Sequence, residues 1–378
     1  MNNTEKSRNQ MIIDEMNRII NENWTDGISV SYGTDAYTEN ICEGVYEDIN
    51  GNYVPVTEKT FIDISSVTKL FTLVTILKLT EENKIDITKK ISDYSKLSSY
   101  VNIQDIKLYE LLNFTKNVVT SSRLDRCSGD EAEALLKSGI VENNRVFYSD
   151  IGSIIIVYIL DDLFGKGFFR NYSEKLWKNI GMKNTFWWDD IPEDKYGLLQ
   201  SYDNEYRYSE KDGIYCYHTE PGKPHDPKSK VLGASGHAGI FTTSEDISVF
   251  ASELIKGNII SYDTINSFIL SDAYDSFTDY GQHFGILCYK RAEKSVDSEI
   301  PDFASDKSIA ISGYTGVYFM IDFQNRKFVF IASNRVHNRM TSLLPSDDIS
   351  GEYKKVTNKY VYRKDVLRDL CYNYDRIL

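Results

Sequence analysis

Strand-like segments stand at the two ends of this chain and are scarce in its middle, and that distribution constrains the fold more than any single motif. A first amphipathic helix is expected where Ile12, Met16, Ile19 and Ile20 recur at helical spacing. The segments GISVSYG (27–33), ICEGVYED (41–48) and TFIDIS (60–65) then read as short strands joined by turns. From Ser66 the pattern changes: Val67, Leu70, Phe71, Val74, Ile76, Leu77 and Leu79 follow helical spacing until EENKID breaks it. Helical patterns continue at 105–113, 130–138, 149–163 and 170–179. Strands return at 283–290, 307–312, 315–322 and 327–333, the last two forming a hairpin across DFQNRK, before a closing helical pattern at 362–377. The expected fold is therefore α+β, an antiparallel sheet flanked by N- and C-terminal helices with an inserted helical region. Its expected divisions are 1–85 (sheet domain, first part), 86–230 (mainly helical insertion) and 231–378 (sheet domain, second part).

Composition narrows the classes of partner. With 41% hydrophobic and 26% charged residues over 378 positions, the chain is ordinary globular material, not a disordered or fibrous one. A net charge of −13 opposes phosphate backbones and anionic bilayers, so no nucleic-acid partner and no membrane partner are expected. The five cysteines are odd in number, widely spaced and without a C-x-x-C pair, which suits reduced thiols in a reducing compartment. The first residues lack the apolar core of a secretory signal, and the longest apolar run, Ile154 to Leu160, is far too short to span a bilayer. A soluble, cytoplasmic protein is expected if residue 1 is the natural start. Five dispersed histidines make no H-x-x-x-H or H-E-x-x-H pattern, so neither metal nor cofactor is expected.

Chemistry concentrates in three places. Ser66-Val67-Thr68-Lys69 is the single S-x-x-K of the chain, set where a strand gives way to an apolar helix. Residues i and i+3 share a helix face, so the Lys69 ammonium can reach the Ser66 hydroxyl, and the helix N-terminus favours a developing alkoxide. Taken alone, a serine followed by a helix is usually just an N-cap. Tyr148-Ser149-Asp150 opens the apolar helix IGSIIIVYIL; a tyrosine in that turn, beside a lysine, can have its pKa lowered enough for proton transfer, while Ser149 or Asp150 caps the helix. Ser312-Gly313-Tyr314-Thr315-Gly316 runs into the strand VYFMID, where glycine permits close backbone approach and Thr315 offers a hydroxyl.

In this order the three pieces resemble the serine β-lactamase and penicillin-binding protein superfamily, whose elements include S-x-x-K and K-T-G. The resemblance is to the class C β-lactamase-like branch, with its family VIII carboxylesterases and D-aminopeptidase-like hydrolases. It rests on FIDISSVTKLFT, YSDIG, GASGHAGIFTTSEDI (233–247) and SNRVH (333–337), and covers roughly 27 to 337. It implies a β-lactamase/transpeptidase-like fold and a serine hydrolase acting through an acyl-enzyme on a small ester, amide or D-amino-acid peptide. Ser66 is then the nucleophile, Lys69 and Tyr148 share the proton transfers, and the N–H groups of Ser66 and Val317 form the oxyanion hole. Thr315 and Gly316 line the acyl side. Two other functions stand beside this one: a penicillin-binding D,D-peptidase or weak β-lactamase, and a non-catalytic ligand-binding homologue.

Departures from that pattern bear on substrate. Tyr314 stands where the family has lysine, so affinity for substrates bearing a carboxylate should fall. Asp150 stands where asparagine is usual; facing the cleft it would pair with Lys69 or a cationic substrate, facing the helix it is a cap. His237 lies in the Gly-rich segment expected at the cleft rim, and His225-Asp226 in a loop of the esterase-like relatives; either histidine can contact substrate or be structural. Trp187, Trp188, Tyr215 and Tyr217 are core aromatics or an apolar wall of the site.

Overall fold

The computed structural model describes residues 3–142, 145–293, 298–342, 361 and 366–373. Helix α1 (Asn3–Asn21) leads into β1 (Gly27–Thr34), β2 (Thr38–Glu47) and β3 (Tyr53–Pro55). A two-residue strand β4 (Ile62–Asp63), a 3-10 turn over Ser65–Val67 and helix α2 (Thr68–Glu81) follow. Later come α3 (Ile151–Phe164), β5 (Phe186–Trp187), the hairpin of β6 (Glu205–Ser209) and β7 (Gly213–Tyr217), the short α4 (Pro227–Leu232), β8 (Ile240–Thr242) and α5 (Ser244–Ile255). Strands β9 (Ser308–Gly313), β10 (Val317–Asp322) and β11 (Lys327–Ser333), then α6 (Val366–Tyr372), complete the described chain.

Six of these strands form one antiparallel sheet in the order β9-β10-β11-β1-β2-β3, so the two ends of the chain meet where β1 pairs with β11, Val30 opposite Ile331. Alternation along β11 explains how the sheet is covered on both faces. Phe328, Phe330 and Ala332 join a core with α2, α3 and α5, whereas Val329 and Ile331 join a second core with Ile12, Met16 and Ile19 of α1 and Leu367 and Cys371 of α6. A strand apolar on both faces carries no polar-out rhythm, which is why KFVFIAS reads as a continuous run. Truncating one such side chain, Phe330→Ala for example, would cost about 3–5 kcal/mol through lost burial and the cavity left behind. The first and last helices share one face of the sheet, as the pattern predicts. Positions 362–365 and 374–377 of the predicted last helix lie outside the described residues.

Helix α3 is apolar nearly all round, with Ile154, Ile155, Ile156, Ile159 and Leu160 fully buried, so it runs through the main core rather than over the surface. Gly236 (φ 77) lets the Gly-rich segment lie against it: a Cβ there would stand 2.7 Å from Val157 Cγ2 and 3.0 Å from the Ser153 carbonyl. Two expectations are corrected. The 283–290 run is no single strand, because Gly285 N–H donates to the Cys288 carbonyl and Leu287 takes φ 52, folding Phe284 back onto Tyr289. The inserted stretch also contains the β6–β7 hairpin. All five cysteines are free thiols, and among the described residues no helix is long and apolar enough to cross a membrane.

Candidate active site

A buried carboxylate ties the first and third motif segments to the loop that contains His225. Asp63, at the end of β4, accepts the backbone N–H of Ser65 and of His225, each at 2.8 Å. Its carbonyl accepts the Thr315 hydroxyl at 2.9 Å. Burial pushes its pKa up, against the pull of those N–H donors. Ser65 takes φ 48, a region costly for a residue with a Cβ, and is held there by Asp63 and by the Tyr314 N–H, which donates to Ser65 Oγ at 3.2 Å. The 3-10 turn so formed carries Ser66, and α2 proper begins two residues later.

Lys69 is fully buried and donates to Ser66 Oγ at 3.2 Å, to the His237 carbonyl at 3.2 Å and to Asp150 Oδ1 at 2.7 Å. Burial lowers its pKa, and the Asp150 charge works against that. Asp150 therefore faces the cleft and pairs with Lys69; the capping oxygen is Ser149 Oγ, which accepts the Ile151 N–H at 3.2 Å. Burial pushes Asp150 up, but Lys69, His237 and Lys228 outweigh it and hold the carboxyl well below the usual range. The Tyr148 ring lies 4.8 Å from the Lys69 Nζ and packs on Phe114 and Tyr289. Its hydroxyl is buried without a hydrogen-bond partner. Burial and the Asp150 charge raise its pKa well above the ordinary 10, with Ser66 pulling weakly the other way. That corrects the expected lowering: at neutral pH this phenol keeps its proton.

Ser66, Tyr148, Asp150 and Tyr314 line one cavity of about 400 Å³, joined by Arg207 and His225. A larger depression of about 940 Å³, between Arg291, Pro301 and Arg368, contains none of the motif residues. Beside Tyr314 lies Glu205, fully buried, which accepts from Tyr314 Oη at 2.6 Å, His225 Nε2 at 2.8 Å, Arg207 Nε at 2.8 Å and the Thr341 hydroxyl. Burial raises Glu205, yet His225 and Arg207 overcome that and bring it down to about 2. The guanidinium of Arg207 lies 4.3 Å from the Tyr217 ring and 5.6 Å from that of Tyr314, and Arg335 lies over Tyr314 at 5.1 Å.

Other expected site residues stand behind the lining. The Thr315 hydroxyl is spent on Asp63, so it is not offered to the cleft. Gly316 (φ 103) is required by packing, since a Cβ would meet Ser333 Oγ at 2.3 Å and Arg335 Cγ at 2.9 Å. Val317 is buried at the start of β10. His237 is buried, its ring between Asp226 Oδ1 at 2.7 Å and Ser235 Oγ at 3.0 Å, so it supports the rim without reaching it. Trp187 is core, while Trp188 donates to the Ser229 carbonyl at 2.9 Å. Tyr215 is exposed.

Asp150, Asp226 and His237 bring possible ligand atoms within 4.8 Å of one another. The Lys228 ammonium bonds both carboxylates, at 2.9 and 3.2 Å, and so already supplies the positive charge a cation would bring there. Glu205, Arg207 and Lys228 had drawn no attention in the sequence. The signal for the first two was Asp212-Gly213 between the alternating runs EYRYS and GIYCY, a hairpin cue that puts Glu205 and Arg207 on one face.

Comparison with known proteins bears on the family and the fold. The Beta-lactamase family model matches residues 27–347. A protein of Escherichia coli named "Putative D-alanyl-D-alanine carboxypeptidase" is 22% identical over 317 residues, covering 75% of this chain and 71% of its own. Its Salmonella typhimurium counterpart is 25% identical over 321 residues, with 75% and 72% covered. Among solved structures, EstCE1, a hydrolase with promiscuous acyltransferase activity, superposes with a TM-score of 0.70 at 16% identity over 98% of both chains. A β-lactamase/D-alanine carboxypeptidase from Pseudomonas syringae gives 0.65 at 16% identity, over 87% of this chain and 94% of that one. These structural likenesses speak for the fold.

Proposed function

The chain belongs to the β-lactamase family of serine hydrolases, and from that premise we propose that it acts through an acyl-enzyme on Ser66, with a small ester, amide or D-amino-acid peptide as substrate. The observation that carries this is the buried Lys69 amine, 3.2 Å from Ser66 Oγ, with Ser66 and Tyr148 lining one cavity. Lys69 takes the Ser66 proton as Oγ attacks the acyl carbon, because a lysine depressed by burial is a competent base near neutrality. The N–H groups of Ser66 and Val317 receive the oxyanion. Tyr148 gives its proton to the leaving group and recovers one through Lys69. Water then releases the acyl group along the reverse route.

A D,D-peptidase or weak β-lactamase is a second reading, favoured by Arg207, a cation in the cavity lining beside the tyrosine that replaces lysine. It suits substrates with a carboxylate, and the curated relatives carry a carboxypeptidase name. The five free thiols support a reducing, cytoplasmic compartment, which weighs toward the esterase or amidase reading. Residues 86–230 are proposed as the inserted unit whose hairpin and α4 complete the cavity.

Intact-mass measurement after incubation with a fluorophosphonate and, separately, a penicillin tests this, with Ser66→Ala as control. One adduct, lost in the control, is expected with the fluorophosphonate. A long-lived penicillin adduct moves the balance to the second reading. No adduct with any acylating probe overturns both.

A further inference from the structure

The base of this site does not stand alone against a carboxylate. Asp150 lies between two lysines, Oδ1 on Lys69 at 2.7 Å and Oδ2 on Lys228 at 2.9 Å. Lys228 in turn reaches Asp226 Oδ2 at 3.2 Å, and Asp226 Oδ1 is held by His237 Nε2 at 2.7 Å and the Ser229 N–H at 2.9 Å. The result is a row of alternating lysines and carboxylates, Lys69, Asp150, Lys228, Asp226, closed by the His237 ring. It is anchored by α4, whose N-cap is Asp226 and whose first helical residue is Pro227. Lys228 lines the depression on the far side of Asp150, alongside Ser149 and Ile151, and not the cavity around Ser66.

A carboxylate paired with one lysine alone would fix that lysine as an ammonium and remove the lone pair a base needs. Here the second oxygen of Asp150 is engaged by a second cation, so its charge is shared. We propose that Lys228 is a positioning residue that keeps Lys69 able to accept the Ser66 proton, by sharing the charge of Asp150. The inference rests on the acyl-enzyme reading above. The groups facing Lys69 act in opposite directions. Tyr148 and Asp150 come from the start of α3, Lys228 and Asp226 from α4, and the His237 carbonyl from the Gly-rich segment. Of these, the two carboxylates favour the ammonium and Lys228 opposes it.

The test is the pH dependence of Ser66 phosphonylation by a fluorophosphonate. In that step the Ser66 Oγ–P bond forms, the P–F bond breaks, fluoride leaves and the hydroxyl proton passes to Lys69. Since fluoride needs no proton, the acidic limb of the rate profile reports the base alone. Lys228→Met should move that limb to higher pH, because the ammonium form of Lys69 gains stability. A shift of one unit is about a tenfold loss of rate at any pH below the limb. Asp150→Asn should move it to lower pH, the double variant should follow Asp150→Asn because Lys228 acts through Asp150, and Lys228→Arg should keep the limb where the parent has it. Melting temperatures accompany each variant, and Lys228→Gln, with the same expected shift, serves if Lys228→Met folds poorly. An unmoved limb in Lys228→Met, or a double variant displaced as far as Lys228→Met, overturns the proposal while leaving the acyl-enzyme reading intact. Loss of all labelling in the unmodified protein overturns that reading instead.

Discussion

On one side of the cavity, lysines and carboxylates alternate, Asp150 and Lys228 each bonded to two neighbours, and burial leaves Lys69 with depressed affinity for its proton against the pull of Asp150. On another, Glu205 gathers Arg207, His225, Tyr314 and Thr341 around one carboxylate that is held ionised down to about pH 2. Both regions are buried and both are ionic, yet they do opposite things. A row of alternating charges can pass a proton because no member owns its partner outright. A star of donors around one acceptor cannot, because every donor gains by keeping that acceptor charged. The first arrangement suits reaction, the second suits shape and a fixed electrostatic field.

The contrast is broken most severely at Lys69. Lys69→Met should slow Ser66 acylation by about 10³-fold, within the range general-base removal brings. Asp150 keeps Lys228 as a partner, so the melting temperature should fall only modestly. Rapid-mixing kinetics with a chromogenic ester and a thermal melt read both together. Glu205→Gln should show the reverse profile, losing about 3 kcal/mol of stability in urea as a buried ionic cluster loses its centre. The pH dependence carries the sign. A carboxyl held near 2 against an ordinary 4.5 contributes stability fully present above pH 4.5 and lost as pH falls toward about 2, about 3 kcal/mol in all. Between those pH values stability should fall less steeply in Glu205→Gln than in the parent, where other depressed carboxyls such as Glu81 and Asp322 also titrate; equal slopes would remove Glu205 as the fixed centre.

These two regions were not equally legible in the sequence. Ser66, Lys69 and Tyr148 sit at strand–helix and loop–helix junctions, where periodicity changes abruptly and the i, i+3 geometry follows from local structure alone. The sheet was legible for the same reason, since its strands stand apart from the helical stretch. Glu205 and Arg207 lie on a hairpin of aromatic and charged residues inside a helical region, and their roles depend on contacts with Tyr314 and Thr341, more than a hundred positions away. No local rule reports such pairings. Tyr314 shows the same limit: replacing lysine there suggests a loss of positive charge, whereas the fold brings the guanidinium groups of Arg207 and Arg335 over its ring. The reach of Lys228 to Asp150, nearly eighty positions away, is of the same kind.

Arg207 sharpens the comparison at smaller amplitude. With Nε and Nη2 committed to Glu205 and the guanidinium at the cavity lining, Arg207→Met should raise KM for an ester bearing a carboxylate by about tenfold, the worth of one charge-assisted hydrogen bond from Nη1. A neutral ester of equal size should change far less. Equal changes for both esters would mean that Arg207 only buttresses Glu205.

Tyr314→Phe is the finest cut, because it removes one donor from the star and nothing from the row. Glu205 keeps His225, Arg207 and Thr341, and the Tyr314 side chain is partly exposed, so the loss should be about 1 kcal/mol in urea, near the low end for a hydrogen bond to a charged acceptor. The acidic limb of the fluorophosphonate profile should stay where it is in the parent, since that limb belongs to Lys69 and the charges that face it. If Tyr314→Phe moved the limb as Lys228→Met is expected to, the star and the row would be one electrostatic unit. Tyr314 would then act on the base directly and not through the shape of the cavity.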